Sequence, residues 1–221
     1  MNLDFAPVWD GIPYLMHGVV VTVEVTALAL VLGCAIGLLV GICRLNPQRR
    51  VVYFIASTYV TFFRGTPLLV QLFLLFYGLP QFNIFLPAFL CGVLGLGMYS
   101  GAYVSEIVRG AIESIDRGQV EAARSIGMSS AQAMRVIILP QAALRMVPPL
   151  GNEFIALIKN SALVSLLTIS DLMHEAQIII STSYRSLEVY LAVALVYLVL
   201  TSAMGAILRR VERKLRAGGL V

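Results

Sequence analysis

Residues 19–43 read VVVTVEVTALALVLGCAIGLLVGIC, an unbroken apolar run whose only ionisable side chain is Glu24. About 20 such residues, at 1.5 Å of rise each, cross a hydrocarbon layer about 30 Å thick, so this stretch is a membrane-spanning helix with length to spare for tilt. Glu24 either joins a polar pathway or snorkels outward near the outer boundary, the second being favoured. Gly33, Gly37 and Gly41 recur at every fourth position, a stripe without side chains along which a second helix can approach closely. The plainer alternative is that glycine is simply frequent in membrane helices.

Four more spans follow outward from this one. Residues 51–79 form a second, interrupted at Arg64-Gly65-Thr66-Pro67, where glycine and proline weaken or kink the helix. Residues 85–108 form a third, with Gly92, Gly95, Gly97 and Gly101 as another close-packing surface. Residues 147–169 form a weaker fourth, diluted by Pro148, Pro149, Glu153, Lys159 and Asn160, and residues 189–208 a fifth with no charged side chain. Hydrophobic residues make up 59% of the 221 and charged residues 13%; with a mean hydropathy of +0.87, this excludes a soluble globule, a coiled coil and a disordered chain. The expected fold is an all-α membrane protein of about five transmembrane helices forming a single domain over residues 1–221. The opening residues carry no Lys or Arg and no small-residue cleavage site, so no secretory signal peptide is expected, and Trp9 and Tyr14 suggest an interfacial lead-in. Cys34, Cys43 and Cys91 stand in no metal-ligand spacing and read as packing residues, with no metal site.

The net charge of +4 reports orientation rather than nucleic acid. Arg44, Arg49 and Arg50 lie in the first loop, Arg109, Arg117, Arg124, Arg135 and Arg145 in the third, and Arg209, Arg210, Arg213, Lys214 and Arg216 in the tail, whereas the other side holds only Arg185. Positive residues stay inside, which places the N-terminus outside and the C-terminus in the cytoplasm, the basic tail meeting lipid headgroups.

The cytoplasmic loop 109–146 is too long for a tight connection and too amphipathic for disorder. Gln119 to Ser125 read as a short helix, Gly127 as the turn at its end, and Ser129 or Ser130 as the cap of a second helix that Pro140 breaks near the membrane. Glu121-Ala122-Ala123, three residues, Gly127, nine residues, Ile137, a gap, then Leu139-Pro140 resembles the EAA loop of bacterial ABC-importer permeases over its whole pattern. The resemblance implies a type I importer-like fold in which this loop forms a coupling helix docked into an ATP-hydrolysing subunit. Glu121, Ala122, Ala123, Gly127, Leu139 and Pro140 would be the coupling residues. Two alanines would give a smooth close-approach face and Glu121 a charge-assisted bond to a basic partner group; the bland alternative is an amphipathic helix resting on headgroups.

Phe63-Arg64-Gly65-Thr66-Pro67-Leu68-Leu69-Val70-Gln71-Leu72, Gly101-Ala102-Tyr103-Val104-Ser105-Glu106-Ile107-Val108-Arg109-Gly110, Gly151-Asn152-Glu153-Phe154-Ile155 and Lys159-Asn160-Ser161 are similar to the polar amino-acid branch of that family across nearly the whole chain. That likeness implies two ATPase subunits, a second permease chain, identical or homologous, and an extracytoplasmic solute-binding protein that delivers an amino acid. It also implies a bacterial plasma membrane, with ATP and Mg on the partner ATPase and no cofactor on this chain. An ionisable residue inside a membrane marks a pathway or a buried pair. Arg64 beside the broken backbone, with Thr66, Gln71 and Tyr103, would meet a zwitterion, or Arg64 would pair with Glu106 to fix the bundle. Glu153 and Asn160, seven residues apart, share a helix face; Glu153 suits an ammonium group and Asn160 an amide. Members of the branch often carry an acid where Asn160 stands, so a glutamine-like, neutral or acidic amino acid is preferred over a basic one or cystine.

No Gly-Lys pair, GxSxG elbow or HExxH pair occurs, so no P-loop and no catalytic residues are assigned. His17 and His174 are expected at the outer interface without chemistry. A passive channel or ion-driven carrier working alone, which would show an inverted repeat, and a scaffold that anchors a cytoplasmic protein are the rival readings.

Overall fold

The computed structural model describes residues 3–217; side chains of residues 216 and 217, and with them Arg216 of the basic tail, lie outside the described residues. The first helix, α1 (Ala6–Cys43), has 38 residues, about 57 Å at 1.5 Å per residue, more than the bilayer needs. It begins well before the predicted span: the Asp4 carboxylate accepts from the Ala6 N–H at 3.0 Å, and Pro7 sits in the first turn, where its missing N–H forfeits no helix bond. The Trp9 and Tyr14 lead-in is therefore helical, with both rings exposed.

The most extensive packing joins α1 to α4 (Ala88–Glu113). Gly33 lies against Ser100 and Gly101, Gly37 against Val104, and Gly41 against Val108; the partner numbers rise together, so the two helices run parallel. A β-carbon on Gly37 would fall 2.5 Å from Val104 Cβ. The stripe of missing side chains is what lets the backbones meet. α4 itself runs five residues past the predicted third span, to Glu113.

Between them, α2 (Arg50–Gly65) and α3 (Leu68–Phe73) are bent by 108° at the two intervening residues. Proline disfavours a helical conformation for its predecessor, and Thr66 is extended at φ −118°, ψ 148°. The expected kink is thus a full break. Beyond it the helix loosens into a π-turn at Leu74–Gly78 and a 3₁₀ turn at Leu79–Phe82. Among the described residues four helices are long and apolar enough to cross a membrane, and the bent pair makes a fifth crossing if it counts as one.

The segment after α4 folds as α5 (Arg117–Ser125) and α6 (Ser130–Ala133), followed by a π-turn, Met134–Ile138, and α7 (Leu139–Asn160). Ser129 caps α6 with a reciprocal Gln132 bond, one of the two caps expected. Pro140, however, breaks nothing. It stands in the first turn of α7, the π-turn before it absorbs the missing N–H, and the helical path runs on from Ser130 through Leu167. Pro148 and Pro149 likewise lie inside α7 without ending it. A 3₁₀ turn, Ser161–Leu167, leads to α8 (Leu172–Ser183), which the apolar pattern does not announce, and α9 (Ser186–Ala217) closes the chain. One apolar core lies around Leu72, Leu96, Leu157 and Leu167, another around Val108, Ile138 and Ala142 toward α5, and a third around Leu172, Ala176 and Val189 beneath α8.

Candidate functional site: coupling helix and intramembrane polar strip

α5 is a polar helix built to be presented. Asp116 caps its start, accepting from the Gly118 N–H at 2.6 Å. At its end Met128 N–H donates to Ala123 O and Gly127 N–H to Arg124 O, with Gly127 at φ +85°; this is a Schellman close that glycine reaches without strain. Glu121 and Ala122 are exposed, and among the described residues no side-chain bond holds the Glu121 carboxylate. Ala123 differs: it is buried against its own chain. Only Ala122 of the pair is thus on the outer surface, since Ala123 seats α5 on the following π-turn. Leu139 and Pro140 lie at the root of α7, not on the presented face.

The intramembrane candidates separate into three groups. Glu106 is the hub of the first. Arg44 Nη1 donates to its Oε1 at 2.6 Å, Arg109 Nη2 and Nε donate to its Oε2 at 2.7 Å and 3.1 Å, and Arg64 Nη1 stands 3.5 Å from Oε1. Arg109 also reaches Glu113 at 2.6 Å. The Arg64–Glu106 pair therefore exists, but as the loosest spoke of a cluster whose stronger members, Arg44 and Arg109, read as loop cations in the sequence. Both carboxylate oxygens are already taken, and the Arg64 side chain stays 45% exposed.

The second group runs from Arg64 toward α7. The Arg64 guanidinium lies over the Tyr103 ring, 5.3 Å from its centroid, and Tyr99 and Tyr103 hydroxyls are 3.1 Å apart. Tyr99 lies within electrostatic reach of both Arg64 and Glu153. Glu153, partly buried, faces the Ser100 hydroxyl, which closes no hydrogen bond by geometry. The fold thus sets a cation and an acid at the two ends of a tyrosine pair. Asn160, two turns from Glu153 on α7 and about 10 Å along the axis, is half-buried and joins neither group.

The third group braces the break. Gln71 Nε2 donates to Phe63 O at 3.0 Å, Thr66 O at 3.1 Å and Thr66 Oγ1 at 2.8 Å, while the Thr66 hydroxyl donates to Phe62 O at 2.8 Å. The Gln71 bonds satisfy the Phe63 and Thr66 carbonyls that the broken helix frees. Thr66 and the Gln71 amide nitrogen are occupied with backbone, and their effect on a solute runs through the placement of Arg64. Glu24 is exposed on α1.

The end of the bundle opposite α5 carries polar groups to which the sequence assigns no role. There Asp171, fully buried, accepts from the His174 N–H at 3.0 Å to cap α8, and Thr22 Oγ1 accepts from Leu172 N–H at 3.1 Å. His17 Nδ1 lies 3.6 Å from Glu175, and Arg185 lies 4.0 Å from Asp4 and 3.7 Å from Glu188. The signal available was Asp171 followed by apolar residues at 172, 176 and 179, a capped one-sided helix.

A bundle of long apolar helices carrying a capped, exposed polar helix on one connecting loop and a guarded ion cluster within defines a polytopic transport subunit. Residues 33–217 match the family described as binding-protein-dependent transport system inner membrane component, and the chain belongs to it. It is 37% identical over 218 residues to the glutamine transport system permease protein GlnP of Escherichia coli K12, and 36% identical over 218 residues to the arginine transport system permease protein ArtQ of Bacillus subtilis 168. Each alignment covers 98% of this chain and 99% of the relative. A crystal structure of an amino acid ABC transporter with histidines superposes with a TM-score of 0.92 at 42% identity, covering 97% of this chain and 100% of that one. The inward-facing MetNI methionine ABC transporter shares the fold at a TM-score of 0.70 and 22% identity, over 90% of this chain and 97% of that one. The chain is a membrane permease subunit of an amino-acid ABC importer, in a family whose members leave ATP hydrolysis to a partner.

Proposed function

We propose that residues 1–221 form a single permease domain that pairs with a second permease chain and two ATPase subunits, and passes a glutamine-like, neutral or acidic amino acid inward from a solute-binding protein. The N-terminus faces outward and the C-terminus the cytoplasm; ATP and Mg are held by the ATPases and this chain binds no cofactor. The relatives named for glutamine and for arginine support an amino-acid cargo, and Asn160 favours an amide over a cationic side chain because it offers both a donor and an acceptor without charge.

In this reading ATP binding draws the ATPases together, α5 moves with its socket, and the bundle switches the side from which the polar strip is open. The bias between states comes from the differential affinity of the ATPases for ATP in the two arrangements. Glu153 takes the α-ammonium group and Arg64 the α-carboxylate. Arg64 is the guanidinium available for that task, because Arg44 and Arg109 already fill Glu106 at 2.6 Å and 2.7 Å. Thr66 and Gln71 hold the break that aims it.

The observation that carries this reading is the presentation of α5: an exposed carboxylate with no bond among the described residues, on a helix closed by Gly127 at φ +85°. ATP-driven uptake of labelled glutamine by proteoliposomes holding the purified complex tests it. Uptake that requires ATP and is lost in Glu121→Lys is expected; equal uptake without ATP would favour a passive channel or an ion-driven carrier.

A further inference from the structure

The described faces outside the bilayer differ sharply in charge. On the outer face, beyond the spans, stand Asp4, Asp10, Glu175 and Glu188 against Arg185, and that guanidinium lies against Asp4 and Glu188. Two of these carboxylates, Asp10 on α1 and Glu175 on α8, line one cavity of about 410 Å³ whose other walls include Pro7, Tyr14, Ile178 and Thr182. Gly11 opens it: a side chain there would strike Ile179, so glycine lets α1 and α8 close at that level while the walls stay apart above it.

Glu175 is only 7% exposed. Its carboxylate accepts no hydrogen bond among the described residues, and the basic group beside it is His17, with Nδ1 at 3.6 Å, an imidazole that is 63% exposed. A carboxylate withdrawn from water and met so weakly favours a cation brought to it. The apolar walls suit the methylene stem of a long basic side chain, and the volume admits one such side chain rather than a folded segment. Asp10, exposed at the rim, would attract that cation before contact.

We propose that this cavity is a docking socket for a lysine or arginine side chain on the solute-binding protein, so that the outer face recognises its partner through the partner's positive charge. The inference rests on the importer reading above and adds where, and with what charge, the delivering protein seats. Charge complementarity across a rim governs encounter rate and salt dependence more than final affinity. Docking should therefore weaken as ionic strength rises.

The test uses the complete transporter with its ATPases in lipid nanodiscs, titrated with the amino-acid-loaded solute-binding protein whose removal abolishes uptake in the source cells; stimulated ATP hydrolysis is the readout. Asp10→Lys should raise the half-saturating concentration of that protein at least about tenfold, and Asp10→Glu should keep the wild-type value. Raising salt from about 50 mM to about 300 mM should weaken docking severalfold in the wild type and less in Asp10→Asn. An unchanged half-saturating concentration in Asp10→Lys overturns the socket, as does stimulation by free lysine alone that Asp10→Lys abolishes, which would make the cavity an amino-acid site. A wild-type transporter that the binding protein never stimulates overturns the importer reading itself, and the socket with it.

Discussion

Two short helices sit at opposite ends of α7, and they are built from the same parts to opposite purposes. α5 and α8 each begin at an aspartate cap, Asp116 and Asp171, and each ends at a left-handed residue, Gly127 at φ +85° and Tyr184 at φ 57°. In α5 Ala123 alone is buried; in α8 Leu172, Glu175, Ala176 and Ile179 are. Asp116 is exposed, whereas Asp171 is sealed from solvent. A helix held by one small residue and two caps can move as a unit with a partner. One seated by four side chains is a fixed part of the wall.

The sharpest way to break this contrast is to reverse the charge on the lightly held helix. Glu121→Lys should reduce ATP-driven uptake at least about tenfold while leaving the melting temperature of the purified chain nearly unchanged, because an exposed residue without partners contributes less than about 0.5 kcal/mol to folding. The opposite pattern is expected in α8. Leu172→Ala removes a fully buried side chain and should destabilise the chain by about 2–5 kcal/mol, measured as detergent-dependent unfolding. If Leu172→Ala is silent in stability, α8 is not the anchored element described.

The two helix ends allow a finer comparison. Gly127→Ala forces a β-carbon into a left-handed turn and should cost about 1 kcal/mol, whereas Tyr184→Gly relieves the same strain and should stabilise the chain by a similar amount. Thermal melts of both variants in one detergent check the signs. The caps differ in their response to pH as well. Burial pushes the Asp171 carboxyl up to about 7, far above the roughly 3.9 of an unfolded chain. The folded state therefore keeps a proton that the unfolded state has released, and stability falls as pH rises from about 4 to about 7. Asp171→Asn, which retains the cap, should flatten that part of the pH–stability curve.

The same contrast explains what could be read without coordinates. The α5 signals are local: a Glu-Ala-Ala triplet, a glycine at the turn and Ser129 at the next cap each act within a few residues, so sequence suffices. The inward turn of Ala123 is not local, because the π-turn on which α5 packs begins eleven residues on. α8 escaped because LMHEAQIIISTS is short, mixed in polarity and ends at tyrosine where a glycine would have marked the stop. Pro140 misled for the complementary reason, since a π-turn upstream supplies the slack that proline needs. Arg44 and Arg109 lie in stretches that read as loop: the closeness of α1 and α4 brings Arg44 onto Glu106, and the extension of α4 to Glu113 sets Arg109 one turn from Glu106 on the same helix.

Intact-complex mass spectrometry of the tagged chain, purified in mild detergent from its own membranes, tests the coupling role of α5 most directly. Two P-loop ATPases and two permease chains should accompany one another in the wild type, with the ATPases lost from Glu121→Lys. A wild-type chain that emerges alone after gentle cross-linking, or a Glu121→Lys complex that keeps both ATPases and full uptake, would contradict it.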